Sequence, residues 1–484
     1  MPRATIPAHG RPADEILSEL QLRKEGDARY REGRTWSLIY YAGDAHHHLM
    51  ARAHDTYLAE NALSPMAFQS LRRFEAEVVQ MSAALLHGPD STVGTMTSGG
   101  TESLILTVKT WRDRARRRRP WVRRPEIVLP ASAHPAFDKA GHLLDVRLRR
   151  VPLLPDGRAD VAAMARRVGR NTVLLVGSAP QYPHGTVDPI PELGALALRK
   201  GVPLHVDACF GGFILPWLER LGVAMPAWDF RVPGVRSISA DLHKYGYAAK
   251  GASTLLFRDM SDMRDQFFVQ TDWMGGIYAS PGLAGTRPGG PIAAAWAALH
   301  AMGEDGYLAK AAQAWEVAQR LRAGIGGIGG IGGIGGIEGL RVLGRPESTI
   351  VTWAAAEGGP DVYAVADQLQ ARGWAVDRQQ GPPSVHCSSN AVNLPVVDQY
   401  IEDLAQAVAH VRAHPELSRQ GEAAMYGTMA KVPLDGLVKR EVGKLMEGIY
   451  GGDGTVPTTS APLPPMAERA LDLFDRARKR LGRA

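Results

Sequence analysis

Ser237-Ile238-Ser239-Ala240-Asp241-Leu242-His243-Lys244-Tyr245-Gly246-Tyr247 decides how the rest of the chain is read. The run Ser237 to Ala240 has strand character and ends in a polar turn bearing a His-Lys pair. Such a turn holds a lysine amine at the lip of a sheet, where low polarity and neighbouring charge are expected to depress its pKa. An uncharged amine attacks aldehydes. Most His-Lys pairs merely solvate a surface, so this one gains meaning only from its neighbours in the same α/β unit.

Upstream, Pro203-Leu204-His205-Val206-Asp207-Ala208-Cys209 reads as a buried strand ending in a carboxylate. An aspartate there can pair with the protonated nitrogen of a pyridine ring and keep that ring an electron sink; the plain alternative is an N-cap or a structural aspartate. Farther upstream, Thr97-Ser98-Gly99-Gly100-Thr101-Glu102-Ser103 precedes the helix-like Leu104 to Thr110. Two glycines with flanking hydroxyls at a helix start present backbone N–H groups and the positive dipole end to an anion such as a cofactor phosphate. An ordinary helix cap would look similar, and the Gly-Lys-Ser/Thr of a Walker loop is missing. Ser132-Ala133-His134 follows the strand-like Glu126 to Leu129, and its imidazole either stacks on an aromatic ring or is a satisfied structural histidine. The order anion loop, stacking histidine, strand-end aspartate, amine-bearing lysine turns four weak signals into one strong one.

Around these motifs, predicted helices alternate with short strands, Thr172 to Val176 and Leu204 to Asp207 among them, which argues for an α/β sheet with helices on both faces. We divide the chain into an N-terminal arm (1–57), a large domain (58–323), a Gly-Gly-Ile linker (324–337), a small α+β domain (338–425) and a C-terminal extension and tail (426–484). Glycine at the density of the linker cannot hold a helix. In the small domain, Leu340 to Leu343 and Thr349 to Trp353 read as strands and Val362 to Arg372 as a helix. The tail is Pro/Thr-rich from Pro457 to Pro465 and then basic, giving at most a peripheral membrane contact.

The bulk composition narrows the function classes. No stretch reaches the roughly 18 apolar residues of a membrane helix, and no signal-peptide core precedes Asp14. Cys209 and Cys387 form no metal or disulfide spacing, so a cytoplasmic protein is expected. Lys plus Arg number 56 against 50 for Asp plus Glu, the excess lying in Arg112 to Arg124 and Arg476 to Arg483. That suggests either anionic partners, as for a non-catalytic lipid- or nucleic-acid-binding protein, or a solvated helix end. The side chains of His46-His47-His48 diverge, so no metal site is expected.

TSGGTES, SAH, HVDACFGGF, SISADLHKYGYAAKGAS, TDWMGGIYASPGLAGTRPGG and GPPSVH together resemble the sphingosine-1-phosphate lyase family, within the group II pyridoxal-phosphate decarboxylase superfamily, over roughly Tyr41 to Tyr450. The resemblance implies fold type I, the aspartate-aminotransferase-like α/β fold with a large mixed-sheet domain and a small α+β domain. It also implies a homodimer with active sites at the subunit interface. By position, Lys244 would carry pyridoxal 5'-phosphate as a Schiff base, Asp207 would meet the pyridine nitrogen and His134 would stack on the ring. Ser98, Gly99, Gly100 and His243 would hold the phosphate, with Thr286 reaching in from the partner subunit. Lys250, Tyr41 and Ser64 match positions near the substrate phosphate, Tyr41 also being the candidate for handling the substrate hydroxyl. Ser64 stands where the family has a histidine, and Thr286 where it has a serine. The activity implied is retro-aldol cleavage of a phosphorylated sphingoid base to a long-chain aldehyde and phosphoethanolamine; the alternative is decarboxylation of glutamate or an aromatic amino acid. No nucleic-acid partner is expected.

Overall fold

Seven short segments, Val93–Thr97 (β1), Glu126–Pro130 (β2), Arg147–Val151 (β3), Thr172–Ser178 (β4), Leu204–Asp207 (β5), Val235–Ala240 (β6) and Ser253–Phe257 (β7), assemble into one sheet in a computed structural model. The model describes residues 5–326, 336–431 and 435–451. The strand order is β1-β7-β6-β5-β4-β2-β3, and β7 alone runs antiparallel to its neighbours. Strands β4, β5 and β7 are buried along their whole length, which is why they read as nearly unbroken apolar runs rather than alternating ones. Because β1, β2, β4, β5 and β6 point the same way, their C-terminal ends form one rim, where open α/β sheets place ligands. Ser98 to Gly100 follow β1, His134 follows β2, Asp207 closes β5, and Asp241 to Lys244 follow β6.

A hairpin of Phe268–Trp273 (β8) and Gly276–Ser280 (β9) projects beyond this sheet. The long helix Gly289–Gly326, broken at Gly303 (φ 56°, ψ 177°), then leads to a second, antiparallel sheet. That sheet comprises Leu340–Val342 (β10), Ile350–Ala355 (β11), Asp377–Gln380 (β12) and Pro383–Ser388 (β13), in the order β10-β11-β13-β12. The helix continues past residue 323, so the Gly-Ile tract begins inside it; residues 327–335 of the tract lie outside the described residues, as do Pro457 to Pro465 and the basic tail.

The N-terminal segment is tied to the second sheet rather than loose. Trp36 is fully buried, stacked with Trp374 and edge-on to Tyr400. Its carbonyl accepts from Ser388 N (2.6 Å), while Asn393 Nδ2 donates to the carbonyls of Gly33 and Thr35. Truncating an aromatic buried this completely costs about 3–5 kcal/mol. Docking of Trp36 carries Ser37, Leu38 and Tyr40 to the rim of the large sheet.

Part of the arginine run is tied into the fold, while Arg116, Arg117, Arg118, Arg123 and Arg124 stay exposed. Arg114 meets buried Asp262 at 2.6 Å, Arg117 meets Asp265 at 2.7 Å, and Arg119 donates to Thr172 O, fastening the helix Gly100–Arg118 to its surroundings. A cavity of about 360 Å³ beside Arg114, Arg118, Arg119 and Arg236 opens at the opposite, N-terminal ends of β4 to β6, away from the rim motifs.

Two buried histidines make the fold acid-sensitive. Burial pushes the pKa of His205 down to about 4 and lowers that of His386, so both are neutral in the folded chain. The unfolded chain binds those protons more tightly, so stability present above pH 6.5 is lost as the pH falls toward 4, by about 1.4 kcal/mol per pH unit for each group. Urea unfolding at pH 7 and pH 5 is expected to show this loss, and His386→Gln to flatten the slope; an unchanged slope would contradict the assignment.

Candidate active site

At the rim, a cavity of about 480 Å³ is lined by Ser98, His134, Asp207, His243, Lys244 and Lys250, together with Gly99 and Gly100. Eight of the positions singled out from the sequence are thus brought together from four separate strand ends. Tyr41, Ser64 and Thr286 do not line it.

Lys244 Nζ lies 2.9 Å from Asp241 Oδ2, and Asp241 is almost wholly buried. Burial alone would lower the lysine pKa, as expected from the sequence, but the Asp241 carboxylate outweighs it and the net shift is upward. This corrects the expected uncharged amine: without a carbonyl partner, Lys244 is an ammonium paired to Asp241. The signal was present in the motif, where Asp241 stands one turn before Lys244, but its weight depends on burial that sequence does not display. Lys250 Nζ donates to Leu38 O at 2.6 Å, and burial followed by the charge of Lys244 lowers its pKa.

The anion loop has the shape its glycines imply. The first N–H groups of the helix Gly100–Arg118 have no intrahelical acceptor and face the rim. A Cβ on Gly100 would sit 2.9 Å from Cys209 Sγ and 3.0 Å from Asp241 Oδ2, so only glycine allows the backbone to come this close. Glu102 Oε2 accepts from both Ser98 N and Ser98 Oγ at 2.7 Å, holding the turn. His243 donates from Nδ1 to Ala252 O (2.7 Å), and a Cβ on Gly99 would touch its Cε1 at 3.5 Å, so the ring abuts the loop. His134 accepts at Nδ1 from Ala136 N (3.1 Å), which fixes an exposed ring at the cavity edge.

Asp207 is held through one oxygen. Its Oδ1 accepts from Cys209 N (3.1 Å) and Ser239 Oγ (3.4 Å), leaving Oδ2 for the cavity. A cradle closed to any side chain, a helix start rich in free donors, a lysine and a pinned carboxylate fit the phosphate, aldehyde and pyridine nitrogen of pyridoxal 5'-phosphate.

Tyr41, expected near the substrate, does not line this cavity, whereas its neighbour Tyr40 does. Leu38 has φ 71°, a left-handed turn just before the pair. Tyr40 lines the cavity, edge-on to Tyr245 at 4.8 Å, whereas Tyr41 bonds Asp44 and lies under Arg31. Ser64 and Thr286 are exposed and share another patch: Asn61 Nδ2 donates to Thr286 Oγ1 (3.4 Å), and Ser64 N donates to Asn61 O. Arg287, bonded to buried Glu75, anchors that patch. Tyr40, Tyr182, Ser388 and Asp241 are cavity residues that motif reading missed. His46 donates to Tyr247 O, and among the described residues no cluster of three or more His, Cys, Asp or Glu could hold a metal.

The sheet, its rim and this cavity define a pyridoxal-phosphate enzyme of fold type I. A family model described as the pyridoxal-dependent decarboxylase conserved domain matches residues 54–327. Sphingosine-1-phosphate lyase of Arabidopsis thaliana is 41% identical over 90% of this chain and 79% of the relative. The structure of a Burkholderia pseudomallei sphingosine-1-phosphate lyase superposes with a TM-score of 0.82 at 36% identity, covering 93% of this chain and 98% of the other. Glutamate decarboxylase of Lactobacillus brevis, 22% identical with a TM-score of 0.72 over 84% of this chain and 95% of its own, shares the fold. The chain belongs to the sphingosine-1-phosphate lyase family.

Proposed function

We propose that this chain cleaves sphingoid-base 1-phosphates to a long-chain aldehyde and phosphoethanolamine. The observation that carries the reading is a single cavity uniting Lys244, Asp207 and a glycine-lined helix start with a second cation, Lys250. Membership of the lyase family supports it. A lysine is a compact point charge suited to a phosphate, and Lys250, a cation of this cavity, is bonded to the Leu38 carbonyl and not to a carboxylate among the described residues.

Bound pyridoxal phosphate supplies the sink for the electron pair released when the bond between the amine-bearing and hydroxyl-bearing carbons breaks. Lys244 would hold the coenzyme, and Oδ2 of Asp207 would be the partner for its ring nitrogen. The N–H groups after Gly99, with Ser98 and His243, would hold the cofactor phosphate, with His134 beside the ring. Lys250 attracts the substrate phosphate. As the bond breaks, the substrate hydroxyl gives its proton to the substrate phosphate or to the Lys244 amine and becomes the aldehyde, and the amine-bearing carbon later takes up a proton from Lys244 or a nearby group.

Tyr40 replaces Tyr41 as the group that handles the hydroxyl. Burial pushes its phenol up to about 12 against the pull of Lys244, so at neutral pH it is a neutral donor able to hydrogen-bond the substrate oxygen. Tyr40→Phe is expected to lower kcat about 100-fold, and Tyr41→Phe by about twofold or less; steady-state kinetics showing the reverse order would return the role to Tyr41.

We also propose that the enzyme is a homodimer. Val269, Trp273, Met274 and Ile277 on the β8–β9 hairpin are more than half exposed, an apolar patch that a second copy would cover. Ser64 and Thr286, outside their own cavity, would then serve the partner's. No helix among the described residues is long and apolar enough to cross a membrane, and two buried free cysteines support a reducing, cytoplasmic setting with at most peripheral lipid contact. Incubation with sphingosine 1-phosphate is expected to give aldehyde and phosphoethanolamine in equal amounts. Carbon dioxide from glutamate or an aromatic amino acid, without aldehyde, would select the decarboxylase instead.

A further inference from the structure

Behind Asp207, away from the cavity, a chain of buried polar groups crosses strands β5 and β6. His205 pairs with Ser237 and Asp207 with Ser239 in the register of the two strands, so alternate side chains of both meet on one face. Trp111 Nε1 contacts Ser237 Oγ (3.1 Å), Ser237 Oγ contacts His205 Nδ1 (2.9 Å), His205 Nε2 contacts Ser239 Oγ (3.3 Å), and Ser239 Oγ contacts Asp207 Oδ1 (3.4 Å). All five residues are buried.

The two ends of this chain fix its direction. An indole N–H only donates, and an ionised carboxylate only accepts. Ser237 therefore accepts from Trp111, and its own hydrogen has one remaining partner, Nδ1 of His205. An accepting Nδ1 on a neutral ring leaves the hydrogen on Nε2, directed at Ser239. From the other end, Ser239 must donate to Asp207, so its lone pairs are free for His205 Nε2–H and for the Cys209 thiol at 3.2 Å. Both ends demand the same tautomer, and the hydroxyl of Ser239 is saturated, giving one bond and accepting two.

We propose that His205 is a positioning residue: as the neutral Nε2–H tautomer, it relays a one-way series of hydrogen bonds from Trp111 to Asp207, fixing the carboxylate that faces the ring nitrogen. A protonated ring would leave Ser237 between two donors with its own hydrogen unplaced. Burial independently keeps His205 neutral, its pKa lying near 4. Trp111 lies on the helix Gly100–Arg118, whose N-terminus forms the anion cradle. One helix thus governs both the phosphate end of the coenzyme and, through His205, the nitrogen end. The inference rests on the cofactor assignment made above.

The test uses the full-length chain labelled with ¹⁵N-histidine, with and without pyridoxal 5'-phosphate. Two-bond ¹H–¹⁵N correlations at pH 7.5, assigned by loss of the signal in His205→Gln, are expected to show the Nε2–H tautomer. An Nδ1–H tautomer or an imidazolium overturns the relay. In parallel, equilibrium dissociation of pyridoxal 5'-phosphate is followed by absorbance. Ser239→Ala and His205→Leu are expected to bind it about tenfold more weakly, and His205→Gln, whose amide takes the place of Nε2–H, within about threefold of the parent. Equal binding by the Leu and Gln variants also overturns it. Thermal unfolding screens the variants for gross damage, and the tautomer is read on the unaltered chain. Should the parent fail to bind the coenzyme at all, the cofactor reading falls while the tautomer still judges the relay.

Discussion

Lys244→Ala is expected to lower turnover of sphingosine 1-phosphate by about four orders of magnitude or more, since under the proposed function the variant loses both the attachment point of the coenzyme and a proton-carrying amine. Its second effect falls on the fold. Asp241 is almost wholly buried, its Oδ1 already lacks a hydrogen-bond partner, and Lys244 is the cation held 2.9 Å from Oδ2. Removing that counter-charge is expected to cost roughly 3 kcal/mol in the coenzyme-free protein. Urea unfolding of the parent and variant, both stripped of coenzyme, measures this. The double variant Lys244→Ala/Asp241→Asn should recover much of the stability and none of the activity. Recovery of activity would show that the lysine is structural.

Asp207→Asn carries the second-largest effect. The substitution keeps the shape and leaves an oxygen able to accept from Cys209 N and Ser239 Oγ. It removes the negative charge that the proposed cofactor placement sets opposite the ring nitrogen. An opposite charge at this range moves a proton affinity by about 1–3 pKa units, at 1.36 kcal/mol per unit. If that stabilisation is needed when the carbon–carbon bond breaks, kcat should fall by about 10- to 1000-fold while folding stability changes by less than about 1 kcal/mol. A fall in stability with kcat preserved would mean that Asp207 braces the strand ends and does not address the ring.

These effects also show what the chain disclosed in one dimension. Ser98 to Gly100, His134, Asp207 and Lys244 were legible because each follows a strand in a local motif, and strands pointing the same way must bring such turns to one rim. Strand β5 was read at its observed bounds because it is short, apolar and fully buried. Strand β3, Arg147-Leu148-Arg149-Arg150-Val151, escaped notice because it lies at the sheet edge, where Arg149 and Arg150 reach sideways to Glu126 and Asp138. Strand β1 was masked by Gly94, where a Cβ would approach Leu255 O to 2.5 Å.

Long-range pairing hid the rest. The docking of Trp36 onto Trp374 and Tyr400 joins residues more than 300 positions apart, and nothing local announces it. Tyr40 lines the cavity and Tyr41 does not, and two adjacent residues of one type carry no local mark of that difference. The protonation of Lys244 was misjudged for a related reason: burial and a buried carboxylate push a lysine in opposite directions, and only their distance shows which prevails.

The most direct measurement is borohydride reduction of the coenzyme-loaded protein, followed by proteolysis and mass spectrometry of the labelled peptide. The pyridoxyl phosphate mass should fall on Lys244 alone, with Lys250 unmodified. Label on Lys250 or any other amine, or none despite a saturated coenzyme absorbance, would contradict the assignment of Lys244 and the cleavage chemistry built on it.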